Sequence, residues 1–351
     1  MVLDELSNSK YQPIAPPVTW FGSKSRYVKQ ITAHFPKHQT FVDVFGGSGA
    51  ILLGKKPCKV EVYNDINRKL VNLFRVLADP LKAKELGRRL LATPYARAEF
   101  QTCQVSIQTE QDDIELARMM MVIQRQSHGG LGQHWSYCVD NAAAGYSASV
   151  RKFHAGIERL SEVSKRLRRV QIEALPWEEI LSRYDRPGTL FYLDPPYVPE
   201  TRVRGSYEFE LDTLDHQHLV LQLQRLQGMA VLSGYAHPVY EPLEQAGWMR
   251  IELSTFAYTS ANRTARVECL WVAPVLAEAA KDKAPSLLTG RQSAAYRTHQ
   301  MRVEESEALI QESIRSLQRI KCKVTKAEVS RMTGISRVHL SRRYAHLFYE
   351  R

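Results

Sequence analysis

The chain has 351 residues, and its content of 44% hydrophobic and 24% charged residues is typical of a folded globular protein with one large or two modest domains. That composition excludes a disordered or collagen-like chain, and no stretch approaches the roughly 20 apolar residues that span a bilayer. The formal net charge of +11 is concentrated in residues 281–351, where 15 basic residues face 7 acidic ones.

This basic segment favours a polyanionic partner, most often nucleic acid, although solubility alone would also explain a basic surface. The five cysteines are scattered singly, which excludes a disulfide framework and a paired zinc site. We therefore expect a reduced, cytoplasmic protein with no metal and no membrane contact.

Strands and helices alternate at the start of the chain. Residues 41–45 form a short apolar run that breaks into glycines and resumes as apolar residues 50–53, which predicts a strand, a tight turn and a helix. A second strand is predicted over residues 59–65 and a helix over about residues 66–77. This alternation is typical of the opening of an α/β sheet.

The middle of the chain interrupts the alternation. Residues 80–185 have a mostly helical, polar pattern, and sheet-like runs return afterwards in GTLFYLD, GMAVLSGY and RVECLWVAP. We predict one discontinuous α/β domain over residues 1–79 and 186–276, with residues 80–185 as an insertion. Residues 277–299 have the composition of a linker, and residues 300–351 are predicted to be helical.

The glycine turn after the first predicted strand is the first sign of a binding site. Asp43 and Phe45 precede Gly47 and Gly49, and glycines there let a ligand approach the backbone where open α/β sheets bind ligands. The turn lacks the Gly-Lys-Ser/Thr of a Walker A loop and the third glycine of a dinucleotide fingerprint. A nucleotide-like cofactor and a purely structural turn both remain open.

Asp65 closes the second predicted strand. An acid at this place can accept hydrogen bonds from both ribose hydroxyls of an adenosine ligand. The alternative is that Asp65, or Asn64 beside it, caps the helix that follows. Taken with the glycine turn, Asp65 favours an adenosine site.

Asp194, Pro195, Pro196 and Tyr197 follow another apolar strand, so Asp194 should lie at the same edge of the sheet as Asp43 and Asp65. An ionised carboxylate only accepts hydrogen bonds, and Pro195 offers a carbonyl without an N–H, so together they suit the two protons of an amine. Tyr197 offers a flat surface for the planar ring that carries that amine. The alternative is an ordinary Pro-Pro turn.

In this order, the segments TWFGSKSRYV, FVDVFGGSGAILL, VYNDINRKLVNLF, YLDPPYV, LSGYAHPVY and LWVAP resemble the Dam-like (D12 class) family of adenine-specific DNA methyltransferases, over roughly residues 17–275. The resemblance implies an α/β, Rossmann-like fold that binds S-adenosylmethionine, with a mostly helical target-recognition insertion. The helical C-terminal extension goes beyond a minimal family member. The implied substrate is adenine in double-stranded DNA.

Carried over by motif, the resemblance also implies roles for single residues. The residues expected to bind S-adenosylmethionine are Trp20, Lys24, Asp43, Phe45, Gly47, Gly49, Asp65 and Asp194. Trp20 and Lys24 would contact its methionine end, although Lys24 could also be a surface lysine. Ser23 stands where several relatives have a second glycine before the lysine, which makes a close backbone approach less assured.

The four residues that begin with Asp194 would hold the target adenine and catalyse the transfer. Accepting the amine protons at Asp194 and Pro195 localises the nitrogen lone pair toward the methyl donor, which predicts direct in-line transfer without a covalent enzyme intermediate. The base must first be flipped out of the duplex and stacked on Tyr197. Other classes stay open: a DNA-binding regulator with an inactive methylase-like domain, or a methyltransferase acting on cytosine, RNA or protein amides.

Residues 80–185 are expected to choose the DNA sequence. Their basic candidates for phosphate or base contact are Arg125, Arg151, Lys152, Lys165, Arg166, Arg168 and Arg169. Solvated helix faces would look the same. Beyond this insertion, Arg202 and Arg204 follow the Pro-Pro-Tyr sequence and are further DNA-contact candidates.

The tail has the pattern of a helix-turn-helix. Thr325 stands three residues before Glu328, as in a capping box, Gly334 suits a turn, and Ser336 suits the cap of a second helix. Val329, Ile335 and Leu340 are expected to form its small core. The residues expected to face DNA are Arg337, Ser341 and Arg342. The alternative is a helical hairpin that packs on the catalytic domain or on a dimer partner.

Overall fold

The computed structural model describes residues 11–139, 142–143, 145–201, 208–253, 267–274, 306, 308–319, 324–335, 340 and 345–348. The chain forms two compact units. The first comprises Met1–Asp194, Gln227–Gly234 and Met249–Ala273, and the second comprises Pro195–Leu226, Tyr235–Trp248 and Pro274–Arg351. The predicted insertion falls within the first unit, and the domain boundaries proposed from the sequence stay a prediction.

A mostly parallel sheet organises the first unit. The strands are β1 (Thr40–Asp43), β2 (Val60–Asn64), β3 (Ala142–Ala143), β4 (Tyr146–Ser147), β5 (Val170–Glu173), β6 (Thr189–Leu193), β7 (Met229–Tyr235), β8 (Met249–Leu253) and β9 (Glu268–Val272). Seven of these described strands form one sheet in the order β5-β2-β1-β6-β7-β9-β8. The sheet confirms the predicted α/β class.

The strand order reverses at β1. The chain runs from β1 outward to β2 and β5, and then returns to β6 on the opposite side of β1, with parallel pairing throughout. Asp43 lies in register with Tyr63 on β2 and with Tyr192 on β6, so the three strands end at one level. In open α/β sheets, ligands bind outside the carboxyl ends of strands at such a reversal.

Helices cover the sheet, and their apolar spacing explains why they form. The helices of the first unit are α1 (Val28–Ala33), α2 (Ala50–Gly54), α3 (Arg68–Ala78), α4 (Pro80–Leu91), α5 (Arg97–Ser106), α6 (Asp113–Gln126), α7 (Ala148–Glu158), α8 (Leu160–Leu167) and α9 (Trp177–Tyr184). In α3, Leu70, Leu73, Phe74 and Leu77 are fully buried, which is the spacing of one helical face. Helices α6 and α8 of the predicted insertion pack against α3.

A short hairpin, β3 paired antiparallel with β4, lies within the glycine-rich stretch of the insertion. Gly145 in its turn has a φ of 78°, a conformation that favours glycine. Residues 80–185 are therefore mostly helical, as predicted, but they also carry three described strands that the sequence pattern did not indicate. These are β3, β4 and β5, and β5 pairs with β2 in the main sheet.

The second unit contains α10 (Thr213–Leu223), α11 (Glu241–Gln245), a helix over residues 308–319 named α12, and α13 (Lys326–Thr333). Asp212 and Asp215 form a capping box at the start of α10. No helix in the described part of the chain is both long enough and apolar enough to cross a bilayer.

The tail confirms part of its predicted pattern. The Thr325 hydroxyl accepts a hydrogen bond from the Glu328 N–H, and Gly334 ends α13 with a φ of 73°. Val329 and Leu340 are fully buried in a small apolar cluster, and Ile335 packs against it. The Glu328 carboxylate pairs with Arg331. Ser336, Arg337, Ser341 and Arg342 lie outside the described residues, so the helix-turn-helix stays a prediction.

Candidate active site

Three acids meet at the carboxyl ends of neighbouring strands. Asp43 is the last residue of β1, Asp65 follows the last residue of β2, and Asp194 follows the last residue of β6. Burial raises the pKa of Asp43 well above its usual range, and the negative charges of Asp194 and Asp65 act in the same direction. The structure therefore brings together the three acids that the sequence placed at one edge.

Asp43 is the most deeply buried of these acids, with 2% of its surface exposed. Its Oδ2 atom is buried and has no hydrogen-bond partner among the described residues. Because a buried polar atom without a partner is costly, this atom marks a place where a ligand donor would be accommodated.

The glycine turn after β1 has the conformation that its sequence predicted. Gly47 and Gly49 have φ angles of 50° and 70°, which favour glycine. The Gly46 N–H donates to the Asn64 carbonyl at 2.7 Å, and the Tyr63 hydroxyl donates to the Gly47 carbonyl at 2.8 Å. Two hydrogen bonds, one to the Asn64 carbonyl and one from the Tyr63 hydroxyl, therefore hold the turn against the end of β2.

Asp65 holds the same turn. Its Oδ2 accepts the Gly47 N–H and its Oδ1 accepts the Asn67 N–H, each at 2.8 Å. The helix that follows is capped by the Asn67 side chain, so the alternative that Asp65 or Asn64 caps it is wrong. The Asn64 side chain bridges Val44 and Leu175 instead. Ribose binding by Asp65 stays a prediction.

Lys24 is buried, with 5% exposure, so the alternative of a surface lysine is wrong. Its Nζ donates to Oδ1 and Oδ2 of Asp194 at 2.7 and 2.8 Å and to the Gly22 carbonyl at 3.0 Å. A second acid, Glu268, lies 3.8 Å from the same Nζ. The sequence predicted the closeness of Lys24 to the site but not its pairing with Asp194.

Glu268 is a site residue that the sequence interpretation missed. It is the first residue of β9, a strand in which all five residues are buried. An acid in an otherwise apolar, fully buried strand requires a compensating partner. An acid within the otherwise apolar strand of RVECLWVAP was therefore the feature of the sequence that could have indicated Glu268 as a site residue.

Trp20 and Phe45 are both half-buried beside the glycine turn. The Trp20 ring lies 3.0 Å from the position that a Cβ on Gly47 would occupy, so the turn and the tryptophan are in close contact. The Ser23 hydroxyl lies 2.8 Å from that of Ser48. Ser23, which stands where several relatives have a glycine, therefore links the segment that carries Lys24 to the glycine turn by a hydrogen bond.

Pro195, Pro196 and Tyr197 open the second unit and are held by that unit's side chains. The Tyr197 ring is 7% exposed and meets Tyr235 edge-on, with 4.6 Å between ring centroids. The Pro196 carbonyl oxygen lies 3.0 Å from Nε2 of His216 on α10. Tyr235 and His216 are contacts that the sequence did not predict.

The predicted basic contacts divide by location. Arg125 is half-buried, its guanidinium donates to the carbonyls of Pro17 and Lys152, and burial lowers its pKa to about 10. Arg166 is buried and bonded to Glu61, so it is an internal residue. The exposed candidates are Arg151, Lys152, Lys165, Arg168 and Arg169. Arg202 and Arg204 lie outside the described residues.

A further cationic and aromatic surface lies in the insertion. The Arg97 guanidinium is 4.8 Å from the Trp135 ring centroid and 5.9 Å from that of Tyr137, and the two rings are nearly parallel. Tyr137 is 66% exposed. Within the described ranges, no three His, Cys, Asp or Glu side chains are grouped to hold a metal ion.

Together, the strand order, the glycine turn and the acids after β1, β2 and β6 define a Rossmann-like methyltransferase. The model of the D12 class N6 adenine-specific DNA methyltransferase family matches residues 20–252. The chain belongs to this family, which confirms the resemblance and the enzyme class expected from the sequence.

Curated relatives agree with this assignment. Type II methyltransferase M1.LlaDCHI of Lactococcus lactis subsp. cremoris is 25% identical over 247 residues, which cover 66% of this chain and 84% of the relative. DNA adenine methylase of Salmonella typhi is 22% identical over 192 residues, covering 51% of this chain and 64% of that protein. Modification methylase StsI of Streptococcus sanguinis is 36% identical over 70 residues, covering 20% and 10%. The chain thus matches slightly under two thirds of the adenine methylase.

Proposed function

We propose that this chain transfers a methyl group from S-adenosylmethionine to the exocyclic N6 amine of adenine, at a specific sequence in double-stranded DNA. Besides family membership, one observation carries the proposal. The buried Lys24 forms an ion pair with Asp194, which directly follows β6 and precedes the Pro-Pro-Tyr sequence at the edge where the strand order reverses. An acceptor for an amine thus stands at the ligand edge of the sheet.

The residues at this edge fit S-adenosylmethionine. Asp43 has a buried oxygen without a partner among the described residues, and its carboxyl lies within the electrostatic influence of Asp65 and Asp194. A ligand with cationic sulfonium and amino groups and with hydroxyl donors matches this group of acids. We assign its binding to Trp20, Lys24, Asp43, Phe45, Gly47, Gly49, Asp65 and Asp194. When bound, S-adenosylmethionine supplies an electrophilic methyl group on a good leaving group.

We assign Asp194 to accept one N–H of the adenine amine, beside the two hydrogen bonds that its carboxylate accepts from Lys24. The Pro195 carbonyl is assigned to accept the other N–H. This arrangement directs the nitrogen lone pair outward, so catalysis is mainly alignment and electrostatics, without a covalent enzyme intermediate.

Tyr197 is assigned to support the flipped adenine ring. An adenine within a duplex cannot reach a recessed site, so it must leave the base stack before the transfer. Tyr235 fixes the plane of the Tyr197 ring by their edge-on contact, which gives an incoming base a surface of defined orientation.

DNA contact is assigned first to the surface formed by Arg97, Trp135 and Tyr137. An exposed aromatic ring next to an arginine suits a nucleobase by stacking and a phosphate by charge. Arg125, Arg202, Arg204, Arg337, Ser341 and Arg342 remain proposed DNA contacts.

Incubation of the protein with duplex DNA and labelled S-adenosylmethionine, followed by mapping of the modified bases, tests the proposal. We expect label in N6-methyladenine within one short sequence. Label in cytosine or only in RNA would replace the proposed substrate. Cofactor and DNA binding without any methyl transfer would support the regulator with an inactive methylase-like domain.

A further inference from the structure

A buried histidine connects the Pro-Pro-Tyr sequence to the rest of the second unit. His216 on α10 is fully buried, and its Nε2 lies 3.0 Å from the Pro196 carbonyl oxygen. Its Nδ1 lies 2.9 Å from the hydroxyl of Tyr240, which is 1% exposed. Both ring nitrogens therefore have partners, and these partners come from two different segments.

The two partners define the tautomer of a neutral His216. A carbonyl oxygen only accepts, so Nε2 carries the proton and donates it to Pro196. Nδ1 is then the acceptor, and the Tyr240 hydroxyl donates to it. Tyr240 thus selects the form of the imidazole that can hold Pro196.

The hydrogen bond to the Pro196 carbonyl restricts the ψ torsion of Pro196, which the proline rings do not fix. Each ring fixes φ of its own residue, so ψ of Pro196 sets both the direction of its carbonyl and the course of the chain into Tyr197. A donor on that carbonyl fixes this ψ. Downstream, the Thr201 N–H donates to the Val198 carbonyl at 2.9 Å, which closes the following turn.

We propose that His216, oriented by Tyr240, is a positioning residue that holds residues 195–197 in the orientation that receives the target base. The inference rests on the proposed function, because Pro195 and Tyr197 are the groups assigned to the adenine. His216 acts through Pro196. If His216 only filled space in the core beside α10, its substitution would change the stability of the protein without changing the conformation of residues 195–197.

Two substitutions of His216 separate these roles. In His216→Gln, the side-chain amide nitrogen can take the place of Nε2 and still donate to Pro196. In His216→Asn, the shorter side chain places its amide near Nδ1 and cannot reach that carbonyl. Tyr240→Phe removes only the hydroxyl that selects the tautomer.

Gln224→Leu is a matched control. The Gln224 side chain at the end of α10 donates to the carbonyl of another proline, Pro242, at 2.8 Å. The Gln224→Leu variant therefore loses a hydrogen bond of the same kind, from a side chain at the end of the same helix to a proline carbonyl. That carbonyl does not belong to residues 195–197.

The first measurement is steady-state methylation of duplex DNA. We expect His216→Asn to lower kcat about 10- to 100-fold while the KM for S-adenosylmethionine stays within about threefold, because a misplaced turn affects alignment. His216→Gln should return kcat to within about fivefold of the wild type. Tyr240→Phe should lower kcat about 3- to 10-fold, and Gln224→Leu should leave it unchanged.

The second measurement is hydrogen exchange of residues 197–201 without ligands, which does not depend on activity. We expect faster exchange in His216→Asn and wild-type exchange in His216→Gln and Gln224→Leu. Wild-type kcat in His216→Asn, or equal losses in the Asn and Gln variants with unchanged exchange, would overturn the inference. A wild type that methylates no adenine would refute the proposed function instead, and exchange alone would then decide the positioning role.

Discussion

Two lysine–carboxylate pairs in the first unit differ in the neighbours and the exposure of their acids. Lys55 pairs with Glu61 at 2.8 Å, and Arg166 donates to both oxygens of Glu61 at 2.6 and 2.8 Å. In the other pair, Lys24 contacts Asp194 at 2.7 Å and has Glu268 at 3.8 Å. The first cluster places Lys55 and Arg166 on one acid, with Arg169 4.0 Å from it, whereas in the second cluster one lysine lies near two acids.

Exposure follows the same division, because the Glu61 side chain is 0% exposed and that of Asp194 is 17% exposed. Burial alone would raise the pKa of the Glu61 carboxyl, but the hydrogen bonds and charges of Arg166 and Lys55 lower it. Glu61 therefore has its charge compensated within the chain. Asp194 stays partly exposed beside its lysine. Of the two ion pairs, the one whose acid is partly exposed is the better candidate for a functional site.

The largest effect is expected from Asp194→Ala, which should lower the rate of methyl transfer about 10³-fold or more by removing the amine acceptor. Lys24 would keep the Gly22 carbonyl and Glu268 nearby, so the loss of stability should be smaller than in the Glu61 cluster. Initial rates with labelled S-adenosylmethionine and thermal unfolding measure the two effects. A folded variant with a rate within tenfold of the wild type would contradict the assignment.

Arg166→Met should instead lower the free energy of unfolding by about 3–5 kcal/mol, because it leaves the buried Glu61 carboxylate undercompensated. The control is Arg169→Met, which removes a 35% exposed side chain 4.0 Å from the same carboxylate and should cost less than about 1 kcal/mol. Urea unfolding measures both. Equal losses would show that the Glu61 cluster does not depend on its buried arginine.

The pH dependence of that measurement adds a second test. Since the folded pKa of Glu61 lies below its ordinary value of 4.5, its stabilising contribution is fully present above pH 4.5 and is lost as the pH falls through the folded pKa. Arg166→Met should lose less stability than the wild type over this acidic range.

Tyr137→Ala should weaken DNA binding about tenfold, since stacking of one base on an aromatic ring contributes about 1–3 kcal/mol. The matched control is Val139→Ala, which changes an apolar residue that is 80% exposed but has no ring. Fluorescence anisotropy with a labelled duplex provides the affinities. An equal, small change in both variants would remove Tyr137 from the DNA surface.

Asp43→Asn should have the smallest effect and shows the cost of burying an acid beside other acids. Because burial and the neighbouring acids raise the folded pKa of Asp43, the wild type loses stability as the pH rises above 3.8 toward and through that raised pKa. The variant lacks this loss, so its Tm should exceed that of the wild type by a margin that grows as the pH rises above 3.8. Scanning calorimetry without ligand measures it, and a margin independent of pH would contradict the raised pKa.

Local pattern was sufficient to predict much of the fold and site. The change from an apolar run to glycines at Gly47, and the acids after three predicted strands, depend only on neighbouring residues. Strand order and the pairing of Lys24 with Asp194 depend on contacts across 170 residues of sequence, which periodicity does not encode. The same holds for His216, which looks like an ordinary helical residue until its carbonyl partner is known.

Charge was the least predictable property. Arg166 in α8 and Arg168 directly after that helix are two residues apart, yet Arg166 is buried beside Glu61 and Arg168 is exposed. Composition assigned both to a DNA-facing surface. The buried positions Leu160, Val163 and Leu167 mark the inner face of the helix, and Arg166 flanks that face, so helical spacing gave a signal that a count of charges concealed.

The bond between Arg166 and Glu61 also limits how the enzyme can be re-engineered. Arg166 belongs to the segment expected to choose the DNA sequence, whereas Glu61 belongs to β2 of the catalytic sheet. A chimaera that exchanges residues 80–185 for those of another methyltransferase would remove Arg166. The buried Glu61 carboxylate would then lose its hydrogen bonds from that arginine. A transplant designed to change the target sequence should therefore carry an arginine at the position of Arg166, or replace Glu61 at the same time.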